Sequence, residues 1–300
     1  MHERKSRLIS EQAAADLVKD GMTVFIGGFV QSSHPMAIAR EIIRKKVKNL
    51  TVVGAATASM EVDILVAAGV AKKVISAYVG IEGHISIAPF FRALAESGDV
   101  DVWEIDESMY YTGLRAGASR LPFLPERAAV GTDYMGGRLN HDLKTFQDPI
   151  NGETLIAVPA IQPDIAFLHA AEADKFGNVR FIGSGFGDRT GARAAKKIVV
   201  QVDKIISNED VRREPYRTSI HAVDAVVRAP FGAHPFSSPG NYLHDDRMIA
   251  EYVAAGKGFL KTRDRRLIDE FLDRWVYGPR DHLEYLERVG IRRICSLNEY

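Results

Sequence analysis

The sequence is nearly without cysteine. Cys295 is the only one in 300 residues, so no disulfide can form within the chain and a cysteine-rich zinc site is excluded. We expect this single thiol to be inert rather than catalytic. The histidines also lack the H-x-x-x-H and H-E-x-x-H spacings with which a helix binds zinc. The sequence therefore predicts a protein without a metal site.

An excess of charge is missing too. Lys and Arg number 39 and Asp and Glu number 39, so the formal net charge is zero. Nucleic-acid-binding proteins usually carry a basic excess, and we predict no nucleic acid partner. No apolar run approaches the roughly 20 residues that a membrane-spanning helix needs, and the polar N-terminus lacks the apolar region of a secretory signal. These absences predict a cytoplasmic protein with no membrane partner.

The chain does contain a regular alternation of short apolar segments and helical patterns. Hydrophobic residues make up 46% of it and charged residues 26%, a composition typical of globular proteins. Strands are predicted at residues 23–26, 50–53, 73–78, 101–105, 154–159, 164–169, 197–202 and 222–227. Helices are predicted at 10–19, 35–46, 60–68, 88–97 and 107–118. Continuously apolar strands are typical of a sheet buried on both faces. The predicted fold class is therefore α/β, with an open, mainly parallel sheet covered by helices.

Two segments depart from this alternation. Residues 118–153 have a weak pattern and are rich in Pro and Gly, which predicts a long excursion from the sheet. Residues 246–300 are highly charged and periodic, which predicts a helical C-terminal tail. We see no internal repeat and no linker, so residues 1–300 are predicted to form a single domain.

The first candidate site is the loop that follows strand 23–26. In open α/β sheets, ligands bind beyond the C-terminal ends of the strands. Gly27 and Gly28 allow the backbone to approach a ligand closely, and Phe29 follows them. The next helix begins at Pro35, and its N-terminus could offer unpaired N–H groups to an anion or oxyanion. A tight turn without a ligand explains the same residues equally well.

Two further loops follow strands. Gly54 and Ala55 begin a run of small residues, which leaves space for a ligand but is also typical of close helix–strand packing. Glu82 lies between Gly80 and Gly83, two residues before His84, in a loop that could be either a site or an ordinary surface.

Carboxylates also mark the end of strand 101–105. Asp106 is a good N-cap for the following helix, and Glu107 would then occupy the first turn, where negative charge is favoured. A carboxylate at the end of a strand could instead act as a nucleophile or a general base. Glu107 is therefore a candidate catalytic residue, with a purely local role as the alternative.

Other motifs point away from nucleotide cofactors. The run Gly183–Gly187 resembles part of a dinucleotide-binding fingerprint, but Thr190 stands where its third glycine belongs. No phosphate-binding P-loop pattern occurs. His234, in a Gly/Pro-rich loop, could be a general acid or a ligand, although a structural histidine is the more common case.

Residues 20–29, which end in Gly27-Gly28-Phe29, together with Pro35, resemble the signature of family I CoA-transferase α subunits. That signature reads D-G, three apolar residues, G-G-F and then G-x-P, and Ser33 stands where it often has Gly. The similarity to α chains of the glutaconate CoA-transferase type extends along most of the sequence, through segments 54–56, 121–125, 229–235 and 275–286.

This resemblance implies a two-subunit enzyme that uses a CoA thioester as substrate and needs no permanently bound cofactor. In such enzymes a β-chain glutamate attacks the acyl-CoA, and a free carboxylic acid then accepts the CoA group. The resemblance implies that Gly27, Gly28 and Phe29 line the shared site and that this chain is active only with its β partner. Phe90-Phe91, Tyr110-Tyr111 and 122–125 are apolar segments that either contact the partner or belong to the core.

Two acidic residues leave a second function open. Glu107 stands where typical transferases carry Gln, and here the chain resembles the α subunit of the steroid-ring hydrolase of cholesterol degradation, in which this glutamate activates water. Glu82 stands where the glutaconate enzyme has a substrate-contacting Ser, and a second carboxylate there would repel a dicarboxylate substrate. The transferase is the leading interpretation. The alternative is a ring-opening hydrolase of the steroid-degradation type, which cleaves a carbon–carbon bond in a CoA thioester, and a non-catalytic acyl-CoA sensor is a third.

Overall fold

The computed structural model describes residues 4–136, 143–183 and 185–298. Residues 137–142 of the predicted excursion, Ser184 of the glycine-rich run and the last two residues of the predicted tail lie outside them. The strands are β1 Leu8–Ile9, β2 Thr23–Ile26, β3 Leu50–Val53, β4 Thr57–Ala58, β5 Ala71–Ile75, β6 Tyr78–Val79, β7 Asp101–Trp103, β8 Phe123–Glu126, β9 Lys144–Gln147, β10 Thr154–Pro159, β11 Ile165–Asp174, β12 Val179–Arg180, β13 Ile198–Ile206 and β14 Ala225–Arg228.

The helices alternate with these strands and then dominate the C-terminal part. They are α1 Glu11–Ala15, α2 Met36–Arg44, α3 Met60–Ala67, α4 Pro89–Ser97, α5 Glu107–Ala118, α6 Asp188–Ala194, α7 Asn208–Arg213, α8 Asp246–Thr262, α9 Arg266–Leu272, α10 His282–Val289 and α11 Ile291–Cys295. Short 3₁₀ segments occupy Asp133–Gly136 and Pro215–Arg217, and a π-helical turn spans Asp273–Tyr277. Among the residues that the structure covers, no helix is both long and apolar enough to cross a membrane.

A mostly parallel sheet forms the centre of the molecule. Its strands lie in the order β1-β14-β13-β11-β2-β3-β5-β7, and β12 pairs antiparallel with β11 at the side. The inner strands β2 and β3 are almost entirely apolar, as is typical of strands whose two faces are both covered. Along β2, Val24 and Ile26 face a core shared with α2, α3 and α8, whereas Phe25 faces a second core shared with α5 and α6. The predicted fold class is confirmed.

Local signals fix the start and end of several helices. The Ser10 side chain accepts a hydrogen bond from the Ala13 N–H at 3.1 Å and caps α1. Gly98 ends α4 in the left-handed conformation, with φ of +80°. The C-terminal helices α8 to α11 confirm that the tail is helical.

The strand predicted at 154–159 has the expected bounds but not the expected neighbours. As β10 it pairs antiparallel with β8 and β9 in a separate three-stranded sheet. Ile156 and Val158 of β10 join the core beneath α5. The predicted excursion is therefore partly built from strands β8 and β9, and β8 packs beside β10 on this helix.

Candidate functional site

The three loops identified in the sequence meet at the C-terminal edge of the main sheet. The Val30 N–H donates a hydrogen bond to the Thr57 carbonyl at 3.0 Å and joins the loop after β2 to the loop after β3. The Gln31 side-chain amide donates to the Glu82 carbonyl at 2.5 Å and joins the first loop to the segment after β6. Ligands of open α/β folds bind at this edge.

The glycines of the first loop are required by the side chains packed against them. Gly28 has φ of +112°, and a Cβ there would lie 2.4 Å from the His34 Nδ1. A Cβ at Gly27 would lie 2.6 Å from both Asp188 Oδ1 and Leu168 Cδ2. Real Cβ contacts of this length essentially never occur. The structure therefore has no room for a side chain at Gly27 or Gly28 unless the neighbouring side chains move.

The sequence predicted that this turn and the start of α2 present free N–H groups. That prediction is wrong, because the N–H groups of Gly28, Phe29 and Ala37 are all hydrogen-bonded. The Gly28 N–H donates to Asp188 Oδ1 at 2.9 Å. The Ala37 N–H, in the first turn of α2, donates to the Gly232 carbonyl at 2.9 Å. The Phe29 N–H bonds within its own loop. Buried donors are normally paired in this way, so the turn offers a shaped surface rather than a ready anion site.

A buried histidine–glutamate pair supports the turn from beneath. The His34 Nδ1 lies 2.8 Å from the Gly27 carbonyl and 3.4 Å from the Glu61 carboxylate, and its Nε2 lies 3.1 Å from the Val30 carbonyl. Burial lowers the pKa of His34 to about 4 and raises the pKa of Glu61 to about 8. Both groups are therefore uncharged at neutral pH, and they act as packing for the turn.

Asp188 closes the turn from the opposite side. It is the first residue of α6 and is almost fully buried. Burial raises the pKa of its carboxyl to about 7, although the hydrogen bond from Gly28 acts in the opposite direction. The sequence did not single out this residue, although the glycine-rich run that ends at Gly187, directly before it, was a visible signal.

Two tyrosines of α5 connect Asp188 to the second loop. The buried Tyr110 hydroxyl donates to the Gly54 carbonyl at 2.6 Å. A Cβ at Gly187 would lie 3.2 Å from Tyr111 Cε1. Burial raises the pKa of Tyr111, and the charges of Glu107 and Asp188 raise it further. These contacts bring α5, α6 and the ends of β2 and β3 into one cluster.

Glu107 lies at the exposed start of α5. The Asp106 carboxylate accepts a hydrogen bond from the Met109 N–H at 2.7 Å, so the predicted cap is confirmed. Within the described ranges, no residue forms a hydrogen bond or an ion pair with the Glu107 carboxylate. Its charge acts on Tyr110 and Tyr111, so it belongs to the same cluster and is available to a ligand or a partner.

Phe29 forms the rim of the turn together with a residue from the glycine-rich run. Its ring stacks on the ring of Phe186, with centroids 3.7 Å apart and planes 14° apart. Phe186 is 51% exposed and Phe29 is half-buried. The stacked pair thus presents an aromatic surface beside the cluster.

Gly54 and Ala55 lie behind the cluster. A Cβ at Gly54 would lie 2.8 Å from Val62 Cγ2, and the Ala55 carbonyl accepts a hydrogen bond from the Ser76 hydroxyl at 2.7 Å. Both residues are buried. These contacts support close packing, and direct ligand contact by Gly54 or Ala55 stays a prediction.

Glu82 is exposed at the outer edge of the same loops. Its charge acts on Tyr78, and the nearby His84 Nε2 lies 2.9 Å from the Asp246 carboxylate of α8. The segment is therefore attached to the C-terminal helices, with the Glu82 side chain directed away from the core.

His234 belongs to the interior. Its Nδ1 lies 2.6 Å from the Tyr285 hydroxyl and its Nε2 3.0 Å from the Asp245 carboxylate. The Arg40 guanidinium stacks 3.6 Å from the Tyr285 ring centroid and donates to the His234 carbonyl. Burial lowers the pKa of His234. The residue is structural, as expected for a histidine in such a loop.

No metal-binding group emerges from the part of the chain that the structure describes: residues 4–136, 143–183 and 185–298 contain no set of three or more His, Cys, Asp or Glu placed to hold an ion. The chemistry available at this edge comes from carboxylates, tyrosines and the aromatic pair.

Comparisons with known proteins agree on one family. A family model described as coenzyme A transferase matches residues 8–229. A protein of Archaeoglobus fulgidus described as uncharacterized is 38% identical over 300 residues, which are 97% of this chain and 65% of that protein. The chain thus spans just under two thirds of that relative's length.

Two further relatives carry functional names. The A-type chain of glutaconate CoA-transferase from Acidaminococcus fermentans is 34% identical over 96% of this chain and 92% of that protein. The crystal structure of glutaconate coenzyme A-transferase from that organism superimposes with a TM-score of 0.92 at 31% identity, over 98% of this chain and 96% of that one. The cholesterol ring-cleaving hydrolase IpdA subunit of Rhodococcus jostii is 33% identical over 86% of this chain and 89% of that protein.

Proposed function

The chain belongs to the coenzyme A transferase family, and we propose that it is the α subunit of a two-subunit enzyme that moves CoA from an acyl-CoA to a free carboxylic acid. The observation that carries the proposal is the Gly27–Gly28–Phe29 turn. It ends a central strand, its shape is fixed on two sides, and it borders the exposed aromatic pair.

The proposed nucleophile is a glutamate of the β subunit. Its carboxylate attacks the thioester carbonyl, which gives an acyl-glutamyl anhydride and releases the CoA thiolate. The thiolate then attacks the glutamyl carbonyl, so that the donor acid leaves and a glutamyl-CoA thioester remains. The acceptor acid reverses both steps, takes the CoA and restores the glutamate. The reaction needs no metal and no bound cofactor beyond its CoA-thioester substrate.

In this mechanism the chain shapes the site and orients the reacting groups, and it supplies no reacting group itself. The turn and the Phe29–Phe186 pair form one wall against which the thioester and the partner's glutamate meet. Because the reacting atoms must lie within about 3–3.5 Å of each other, a rigid wall contributes to the rate through positioning. The buried support beneath the turn suits this role.

The proposal is tested by following the fate of the thioester. The chain is co-expressed with its β partner, and a panel of acyl-CoAs is incubated with and without acetate while CoA species are measured by mass spectrometry. We expect new acyl-CoA only when the acceptor acid is present, and borohydride should trap a glutamyl-CoA thioester on the β chain. Binding of acyl-CoA with no turnover would instead indicate a sensor.

The exposed Glu107 favours a second candidate, a ring-opening hydrolase in which this carboxylate activates water to cleave a carbon–carbon bond of a CoA thioester. The parent enzyme should then form product without an acceptor acid and incorporate oxygen from ¹⁸O-labelled water. Glu107→Gln should abolish this product formation. Glu104→Gln, at another exposed carboxylate three residues earlier, is the matched control. For the transferase, we expect Glu107→Gln to keep activity within about tenfold.

A further inference from the structure

Asp188 is a buried carboxylate beside the proposed site, and it touches both glycines of the turn. Its Oδ1 accepts the Gly28 N–H at 2.9 Å across 160 residues of sequence. The same oxygen lies 2.6 Å from the position that a Cβ of Gly27 would take. One side chain thus both bonds the turn and excludes any larger residue from it.

The surroundings of Asp188 leave Gly28 as its main polar contact. The Gly28 N–H is the one hydrogen bond that its carboxylate receives within the described ranges, and no cation there pairs with it. Tyr110 and Tyr111 of α5 face it from one side. A buried carboxylate without a cation is costly to maintain, and a neutral residue would pack more easily here. The arrangement therefore favours a role beyond packing.

We propose that Asp188 is a positioning residue, which holds the Gly27–Gly28 turn and Phe29 in the shape that the acyl-CoA site requires. This inference rests on the proposed function. An ionised carboxylate accepts an N–H more strongly than a neutral group does, by roughly a factor of two in bond strength. The hold on the turn is therefore tightest when Asp188 is ionised.

The pH dependence of activity follows from the groups that face Asp188. The two tyrosines have raised pKa values, and His34, behind Gly28, has a pKa lowered to about 4. These three stay neutral between pH 6 and 8, whereas Asp188, with a pKa of about 7, changes charge. Glu61, with a pKa of about 8, lies behind His34. A substitution of Asp188 alone therefore distinguishes its contribution to the pH profile from that of Glu61.

The test compares Asp188→Asn and Asp188→Ala in the assembled two-subunit enzyme. Asn keeps an acceptor for the Gly28 N–H but cannot ionise, and Ala removes the acceptor. Asp164→Ala is the matched control, because Asp164 accepts the Thr23 N–H at 2.9 Å at the other end of β2. Conversion of the donor acyl-CoA to acetyl-CoA in the presence of acetate is measured from pH 6 to 8, and amide exchange is measured in the peptide that contains Gly27–Phe29.

We expect Asp188→Ala to lower kcat by about 10- to 100-fold with a smaller change in KM, and to speed amide exchange in the turn. Asp188→Asn should remain within about tenfold of the parent at pH 8 and should lose the decline in activity below pH 7. Asp164→Ala should change neither exchange in the turn nor the pH profile. A parent-like kcat in Asp188→Ala, or a parent-like acid decline in Asp188→Asn, would overturn the proposal.

If the parent complex transfers no CoA from the donor acyl-CoA to acetate, the proposed function fails by itself. Asp188 is then judged by amide exchange together with the dissociation constant for acetyl-CoA. Faster exchange and weaker binding in Asp188→Ala support the positioning role, and unchanged values for either quantity contradict it.

Discussion

At the scale of single residues, Tyr110 shows how a buried polar contact ties a helix to the site. Its hydroxyl donates to the Gly54 carbonyl at 2.6 Å, with no exposure to solvent. Tyr110→Phe leaves that carbonyl without its donor, and we expect the free energy of unfolding to fall by about 1–2 kcal/mol in urea titration. Tyr216→Phe is the control. Tyr216 is 80% exposed, and a change within about 0.5 kcal/mol is expected. Equal losses in both variants would contradict this account.

The same scale shows what the sequence could and could not predict about the site. Gly27, Gly28 and Glu107 were visible because each follows a strand, and Asp106 was predicted as a cap from its spacing to the helix. Asp188 was not found, because its partner lies 160 residues away and a hydrogen bond across such a distance leaves no local pattern. The sequence indicated a close backbone approach at the two glycines, but it did not show which side chains pack against them. That Gly27 and Gly28 line a substrate site stays a prediction.

At the scale of elements, helix α8 contains two glycines in very different surroundings. A Cβ at Gly256 would lie 2.1 Å from Pro89 Cγ, at the contact between α8 and α4. A Cβ at Gly258 would meet the flexible Leu267 side chain at 3.0 Å. We expect Gly256→Ala to destabilise the protein by about 1–3 kcal/mol through overpacking.

Gly258→Ala is the matched control on the same helix. Alanine favours a helix over glycine by about 1 kcal/mol, so this variant should be neutral or slightly stabilised. The free energy of unfolding of both variants is measured by urea titration. Stabilisation by both substitutions would mean that α8 does not pack on α4 as described.

The bounds of elements with strong local signals were predicted closely. The neighbour of each strand in a sheet was not predicted. Helix α5 spans Glu107–Ala118, as the sequence predicted from its cap and periodicity. Strand β10 also has its predicted bounds, yet it pairs with β8 and β9 rather than with the main sheet. The apolar pattern of a strand records that it is buried but not which strand lies beside it.

At the scale of the whole molecule, buried carboxyls give the fold a distinct pH dependence. Burial raises the pKa of Glu61 to about 8 and the pKa values of Asp63 and Asp188 to about 7. Above pH 6.5 the unfolded chain has already released these protons, while the folded chain still holds them. Stability therefore falls as the pH rises towards 8. The loss is on the order of 1 kcal/mol for each carboxyl.

This decline is measurable as a fall in Tm between pH 6.5 and 8. His34 and His282, with pKa values lowered to about 4 and about 3 by burial, act in the opposite direction. Their effect is largest below about pH 7, where the unfolded histidines gain protons, so it offsets only part of the fall. Glu61→Gln should make the decline shallower, and Glu96→Gln, at an exposed glutamate of α4, should leave it unchanged. A Tm that rises over this range would contradict the assignment of buried, protonated carboxyls.

The family and the fold class were both predicted from the sequence, because the G-G-F signature and the apolar strands are local features. The single domain and the cytoplasmic location stay predictions. The acyl group is not specified by this chain alone, since the proposed site is completed by a second protein chain.

The strand order of the central sheet also determines when each strand can pair during synthesis. β2 pairs on one side with β3, which follows it closely in the chain, and on the other with β11, which begins only at Ile165. At a synthesis rate of about 5–20 residues per second, the ribosome needs roughly 10 to 30 s to pass from Gly28 to Asp188. Until β11 is made, one edge of β2 in the nascent chain is unpaired, and until Asp188 is made, the Gly28 N–H lacks its hydrogen-bond acceptor. Early chaperone contact should therefore concentrate on this edge, and slower translation of residues 28–165 should prolong its exposure.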